Sequence, residues 1–132
     1  VYSFVVDAAG EADVTVTPTG STYLEGPQNP DASCTVGTSY NTLTIQDLAV
    51  RVLDADGSTE LAATDSTGVG GVEVLDDVLL TSGAGTYYVE VSGDSSNAAQ
   101  LYSLSLTVSP SDQIFAAGFE SGDVTGWSAR KP

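Results

Sequence analysis

Carboxylates that flank two apolar runs are the residues of this chain best suited to binding chemistry. Asp47 and Asp54 bracket one run, and Asp56 and Asp65 bracket the next. Ca²⁺ takes about six to eight oxygen ligands, which carboxylates on adjacent loops can provide. If the loops of this hairpin converge at one edge, the four side chains would bind a calcium ion. An alternative stays open, because Asp56-Gly57 is also a common turn sequence and its spacing is not that of an EF-hand.

Catalytic chemistry finds little support in the composition. The chain has no His and one Cys, which excludes Ser-His-Asp and Cys-His catalysis of the usual kind and a His-based zinc site. Asp76 and Asp77 are neighbours, and neighbours on a strand point to opposite faces, so we expect that they do not act as a pair. Cys34 has no His to activate it, and we expect a buried or half-buried thiol, or one that pairs outside this chain in an oxidising compartment. We therefore expect no enzymatic activity.

Aromatic side chains offer a second kind of binding site. Four of them fall on predicted loops, on an outward strand face or in the C-terminal tail: Tyr23, Tyr40, Tyr88 and Trp127. Exposed rings of this kind can stack on sugars or cover a peptide backbone. The alternative is packing within the protein, which we expect for Tyr2, Tyr87 and Tyr102, and Trp127 would then cover a strand edge.

The charge balance excludes several classes of partner. With 3 basic and 18 acidic residues, the formal net charge is −15 at pH 7. There is no basic stripe to neutralise phosphates, so we expect no nucleic-acid binding, and anionic lipid headgroups would repel the chain. No stretch approaches the roughly 18 apolar residues of a membrane span, so we expect no membrane insertion. A surface rich in Ser, Thr and Asp with almost no Lys is typical of secreted or cell-surface bacterial modules.

Hydrophobic alternation predicts strands almost throughout. In residues 102–108 every second residue is apolar, which gives one core face and one hydroxyl-rich face. Residues 12–17, 47–53 and 86–92 repeat this pattern, and further strands are predicted at residues 2–6, 43–45, 61–64 and 72–80. Short strands with frequent turns indicate an all-β fold, an antiparallel β-sandwich or jelly roll of about seven to nine strands.

Two regions depart from this rhythm. Residues 20–41 are too long for a hairpin loop, and we expect an excursion over the surface, where binding residues often lie. After Pro110 a short linker leads to an apolar stretch at residues 114–120. We therefore divide the chain into a sandwich domain, residues 1–109, and a linker with a C-terminal tail, residues 110–132, for which packing on the sandwich edge is one option.

The order of these strands resembles the bacterial pre-peptidase C-terminal (PPC) domain family. The most specific part is Gly-Thr-Tyr-Tyr-Val at residues 85–89, followed by the Tyr-x-Leu-x-Leu strand at residues 102–106. Residues 118–128 are similar to a short GFESGD-type motif near the C-termini of exported bacterial proteins. The resemblance implies a sandwich appended to a secreted protease or other exported enzyme. It also implies a non-catalytic module that is sometimes stabilised by calcium and sometimes binds an insoluble polymer such as collagen.

Two functions therefore remain as expectations. The first is an accessory module of a secreted bacterial protein, a protease or other hydrolase, that aids stability or the binding of a polymeric substrate. Its partners would be the parent enzyme domain or an extracellular polymer. The alternative is a structural or adhesive subunit of a cell surface or filament, which assembles when residues 1–6 or 114–119 add an edge strand to a neighbour's sheet.

Overall fold

The computed structural model of this chain describes residues 1–33, 35 and 37–110, and none of these residues forms a helix. Within them lie nine strands: β1 Tyr2–Val6, β2 Gly10–Pro18, β3 Thr22–Glu25, β4 Thr38–Asn41, β5 Leu48–Leu53, β6 Glu60–Thr64, β7 Glu73–Leu79, β8 Gly85–Gly93 and β9 Tyr102–Pro110. All pairings between them are antiparallel. The predicted all-β fold is confirmed. The described part of the chain accordingly contains no helix able to cross a lipid bilayer.

Two sheets form the sandwich. One has the order β1-β8-β5-β6 and the other has the order β7-β2-β9, while β3 and β4 pair only with each other. The central strands alternate as the sequence predicts, so that Val14 and Val16 of β2 and Val50 and Val52 of β5 are buried. These β-branched side chains lie between the sheets in a core that also contains Leu80 and Tyr87, and burial of such apolar surface stabilises the fold.

The two ends of the sandwich differ. At one end β2 and β6 finish, β5 and β9 begin, and the β3–β4 pair projects; we call it the ribbon end. At the opposite end a tight turn joins β5 to β6. Gly57 has a φ of +69° there, and its N–H donates to the carbonyl of Asp54 over 2.9 Å. This confirms the hairpin that Asp56-Gly57 predicts, since glycine accepts a positive φ at no steric cost.

Two local predictions are wrong. Residues 43–45 form turns and bends instead of a strand. The surface excursion expected at residues 20–41 includes two exposed strands, β3 and β4, that the sequence does not predict. Asp76 and Asp77 are both exposed rather than on opposite faces, because the register shifts between Ala12 and Val14 and Asp77 has a φ of +55°. A bulge of this kind places two consecutive side chains on the solvent side.

Candidate functional site

An exposed tyrosine pair on the β3–β4 ribbon is the clearest binding feature of the described chain. Tyr23 and Tyr40 are direct cross-strand partners, so their side chains share one face of the ribbon. Their ring centroids are 5.4 Å apart and the ring planes are inclined by 53°. Tyr23 is 48% exposed and Tyr40 is 38% exposed. The structure therefore brings together two of the four aromatic residues that the sequence singles out, on a surface open to solvent.

A buried glutamine, Gln100, holds the base of this ribbon, and a second buried glutamine, Gln46, ties the adjoining chain to the β8–β9 connection. The side-chain amide of Gln100 donates to the carbonyls of Thr42 and Leu101, each over 2.9 Å, and its oxygen accepts from the N–H of Ile45 over 3.0 Å. The side-chain amide of Gln46 donates to the carbonyl of Ala98, and its oxygen accepts from the N–H of Ser95 over 3.0 Å. Isolated two-stranded ribbons are marginal in water, so these bonds fix the direction in which the tyrosines project.

The base is closed by a second set of bonds. The Thr42 hydroxyl accepts a hydrogen bond from the N–H of Ser21 and donates one to the carbonyl of Ser21, each over 2.8 Å. Beyond the strands, the tip of the ribbon is ordered by short polar side chains. The Asp31 carboxylate accepts from the hydroxyl and the N–H of Ser33, which lowers the pKa of Asp31. These contacts account for the enrichment of Ser, Thr, Asn and Asp in this segment.

The other two aromatic candidates do not join the pair. Tyr88 lies on β8 opposite Leu53, at the end of the sandwich away from the ribbon. A side chain at Gly57 would lie 3.6 Å from the Tyr88 ring, so Tyr88 covers the β5–β6 turn, as the packing alternative expects. Trp127 lies outside the described residues, as does Cys34.

The four predicted calcium ligands fall into two pairs at opposite ends of the hairpin. Asp47 precedes β5 and Asp65 follows β6, both at the ribbon end, whereas Asp54 and Asp56 lie in the turn at the other end. Strands of this length separate the two ends by roughly 15–20 Å. The loops therefore do not converge, and one ion cannot contact all four side chains. The residues before and after a single strand lie at opposite ends of the sheet. The expected convergence of the four side chains does not take this into account.

In the β5–β6 turn, the Asp56 carboxylate accepts hydrogen bonds from the turn itself. Asp56 accepts from the N–H groups of Ser58 and Thr59 over 2.8 and 2.7 Å and from the Thr59 hydroxyl over 2.6 Å. These bonds, first among them that of the Thr59 hydroxyl, hold the pKa of Asp56 far below its ordinary value. Asp54 accepts from the Ser82 hydroxyl over 2.7 Å. The turn pair thus shows the structural use that the sequence leaves open as an alternative.

At the ribbon end, Asp47 lies among other carboxylates. Its Oδ1 is shielded from solvent and has no hydrogen-bond partner among the described residues. Burial raises the pKa of Asp47, and repulsion from Asp65, Asp94 and Glu73 raises it further. A carboxylate oxygen of this kind suits a hard cation. Among the described residues, no group of three or more His, Cys, Asp or Glu side chains is placed to hold a metal ion. Calcium binding stays a prediction.

Glu73, which the sequence does not single out, is the most buried of these carboxylates. It points into the sandwich from β7 with no solvent exposure. Burial alone would raise its pKa, but bonds from Ser66, Thr67 and Thr64 outweigh that effect and lower the pKa of Glu73 to about 2. All its bonds come from the β6–β7 connection and the end of β6, so Glu73 organises that loop and has no oxygen free for an ion.

Comparison of this chain with protein-family models, with curated proteins and with solved structures finds no match.

Proposed function

We propose that this chain is a non-catalytic accessory module of a secreted bacterial protein, a protease or other hydrolase, and that it binds a polymeric substrate through the β3–β4 ribbon. The observation that supports this most directly is the exposed Tyr23–Tyr40 pair. Two amphipathic rings on one face present a large contact area at a low cost in side-chain entropy, which is why tyrosine recurs at binding surfaces. The resemblance to the PPC family, carried by residues 85–89 and 102–106, supports the same role.

The charges of the described residues favour a ligand that is not anionic. Arg51 is the one basic side chain among the described residues, and it pairs with Glu90 over 2.9 Å and with Glu60 over 3.7 Å. No basic side chain of the described residues is therefore left unpaired to meet a sulfate or phosphate group. A neutral polysaccharide or a peptide polymer such as collagen fits this surface.

Co-sedimentation with insoluble polymers tests the proposal. Purified protein is mixed with collagen fibrils, cellulose or chitin, and the bound fraction is measured as the polymer concentration is raised. The double variant Tyr23→Ala/Tyr40→Ala is expected to bind at least about tenfold more weakly, because both central rings are lost. Tyr88→Ala is the matched control, since it removes one tyrosine ring at the other end of the sandwich. Equal loss of binding in both variants, or no loss in the double variant, would refute the ribbon as the site.

The alternative of a self-assembling surface or filament subunit is favoured by one observation. Strand β1 is an edge of its sheet; its outward residue Val5 is 72% exposed, and Val1, which precedes the strand, is 77% exposed. An apolar edge strand is a template for strand addition from a second molecule. Light scattering coupled to size exclusion at micromolar concentration separates the two functions. A monomer at every concentration eliminates the filament, and a ladder of oligomers supports it.

A further inference from the structure

The hydrophobic core of the sandwich is covered on one flank and open on the other. In the three-stranded sheet, β2 lies between β7 and β9, and its inward residues are fully buried. On the β7 side, Val78 opposite Ala12 is 5% exposed. On the β9 side of the same residue, Val108 is 40% exposed, and Leu104 and Leu106 are half-buried. The β9 strand therefore carries an apolar face that the described residues cover incompletely.

The facing sheet shows the same opening on the same flank. Strand β1 pairs with β8, and its inward residues are Tyr2, Phe4 and Val6. Tyr2 is 47% exposed and Phe4 is half-buried, although the Phe4 ring stacks on Tyr87 with ring centroids 5.8 Å apart. The two sheets meet here through the hydroxyls of Tyr2 and Tyr102, which are 2.9 Å apart. We call the opening between β1 and β9 the seam; it is lined by Tyr2, Phe4, Leu104, Leu106 and Val108.

Both walls of the seam are edge strands within the described part of the chain. At the end where β1 finishes and β9 finishes, the seam widens into an open cavity of about 280 Å³, lined in part by Val6, Gly10, Val108 and Pro110. Unpaired strand edges beside an apolar opening invite a further strand, which would satisfy the backbone groups and cover the side chains at once.

We propose that residues 114–119 of the same chain occupy the seam as an additional strand. These residues, Ile-Phe-Ala-Ala-Gly-Phe, are apolar throughout. In an extended strand Phe115, Ala117 and Phe119 share one face, which gives two large rings to cover the half-buried residues of β1 and β9. This placement also gives a structural role to an apolar stretch that the ribbon function does not use.

Chain continuity favours this occupant over a second copy of the protein. Pro110, which ends β9, is itself part of the cavity wall. Residues 111–113 span at most about 10 Å, which matches the separation of about 10 Å between packed sheets. The segment therefore enters the seam at the cavity and runs antiparallel to both β1 and β9. A tethered segment also has an effective concentration in the millimolar range, far above that of a second molecule.

Substitutions in the full chain test this placement. Phe115→Ser/Phe119→Ser is expected to lower the midpoint of thermal unfolding by at least about 5 °C and to increase fluorescence of an apolar-surface dye. Val124→Ser, in the same tail but outside residues 114–119, is the matched control and leaves both values unchanged. An unchanged midpoint and dye signal in the double variant would overturn the proposal.

A double-mutant cycle adds a direct test of contact. If Phe115 covers Val108, the loss in unfolding midpoint for Val108→Ala/Phe115→Ala is smaller than the sum of the two single losses. Additive losses would overturn the contact. Light scattering distinguishes the second occupant: a monomer supports the tethered segment. A dimer that Phe115→Ser/Phe119→Ser converts to monomer would show that the segment fills the seam of a partner copy, and would overturn the assignment to the same chain.

Discussion

The buried carboxylate of Glu73 accepts the backbone N–H of Thr67 over 2.7 Å. Its second oxygen accepts the N–H of Ser66 over 3.0 Å and the Thr64 hydroxyl over 2.9 Å. The loop between β6 and β7 is therefore closed around a single side chain that is inside the sandwich. A charged group shielded from solvent is tolerated here because both carboxylate oxygens accept hydrogen bonds from the loop, and the loop in turn depends on that charge.

Replacement Glu73→Gln is expected to destabilise the fold by about 2–4 kcal/mol, because an amide nitrogen replaces one accepting oxygen and faces N–H and O–H donors. Urea unfolding at pH 7 measures the change in the free energy of unfolding. Glu25→Gln is the control, since Glu25 lies on β3 and is exposed. A loss in the control as large as that in Glu73→Gln would show that the buried network is not the cause.

The stability of the protein is expected to fall between about pH 4.5 and pH 2. The ordinary pKa of a Glu carboxyl is 4.5, and the folded state lowers that of Glu73 to about 2. A lowered folded-state pKa contributes stability that is fully present above the unfolded pKa and is lost as the pH falls through the folded pKa. Unfolding free energies measured at several pH values should drop across this window in the wild type and less steeply in Glu73→Gln. Parallel pH profiles for the two proteins would contradict the assignment.

The fold could be predicted from the sequence where the apolar residues of a strand follow a regular period, and not elsewhere. Strands β2, β5 and β9 have a strict period of two over many residues, so their faces can be read from single positions such as Val14. The β3–β4 ribbon has no such period, because all its residues are exposed and neither face is selected for burial. At Glu73 the usual rule that apolar side chains point inward and charged ones outward is reversed. Glu73 is buried because hydrogen-bond donors of the loop compensate its charge, and its apolar neighbour Val74 is 44% exposed.

The candidate site was predictable in part for the same reason. Tyr23 and Tyr40 are identifiable as aromatic residues in a segment without core periodicity, but their pairing depends on a register that only the fold provides. The roles of Gln46 and Gln100 could not be predicted from the sequence. Each side-chain amide bonds to backbone groups that are distant in sequence and that only the fold brings close. The separation of Asp47 from Asp54 follows from strand direction, once the run between them is taken as one strand.

Replacement Asp47→Asn is expected to stabilise the protein at pH 7 and low ionic strength. Burial and then repulsion from Asp65 raise the pKa of Asp47. A raised folded-state pKa means that the charged form is disfavoured in the fold, a cost present at neutral pH and relieved as the pH falls through that pKa. Thermal unfolding measures the shift, with Asp7→Asn, an exposed carboxylate beyond β1, as the control. A lower unfolding midpoint for Asp47→Asn than for the wild type would contradict the prediction that the Asp47 charge destabilises the fold.

Calcium is expected to raise the midpoint of thermal unfolding of the wild type at low salt, because a bound cation would neutralise the carboxylates around Asp47 and meet its unpartnered oxygen. NaCl at equal ionic strength should not reproduce the shift, and Asp47→Asn should abolish most of it. If NaCl gives the same increase, the effect is general screening of the net charge of −15 and calcium has no specific site.

Replacement Gln100→Ala is expected to weaken polymer binding although no ring of the ribbon is removed. The change leaves the carbonyl of Thr42 and the N–H of Ile45 without their side-chain partner. It should destabilise the fold by about 1–3 kcal/mol and loosen the ribbon base. Co-sedimentation and urea unfolding are measured on the same samples, with the exposed Gln28→Ala as control. If Gln100→Ala lowers stability but binds polymer as tightly as the wild type, orientation of the ribbon does not matter. The Tyr23–Tyr40 pair would then act as an adaptable surface, not as a positioned platform.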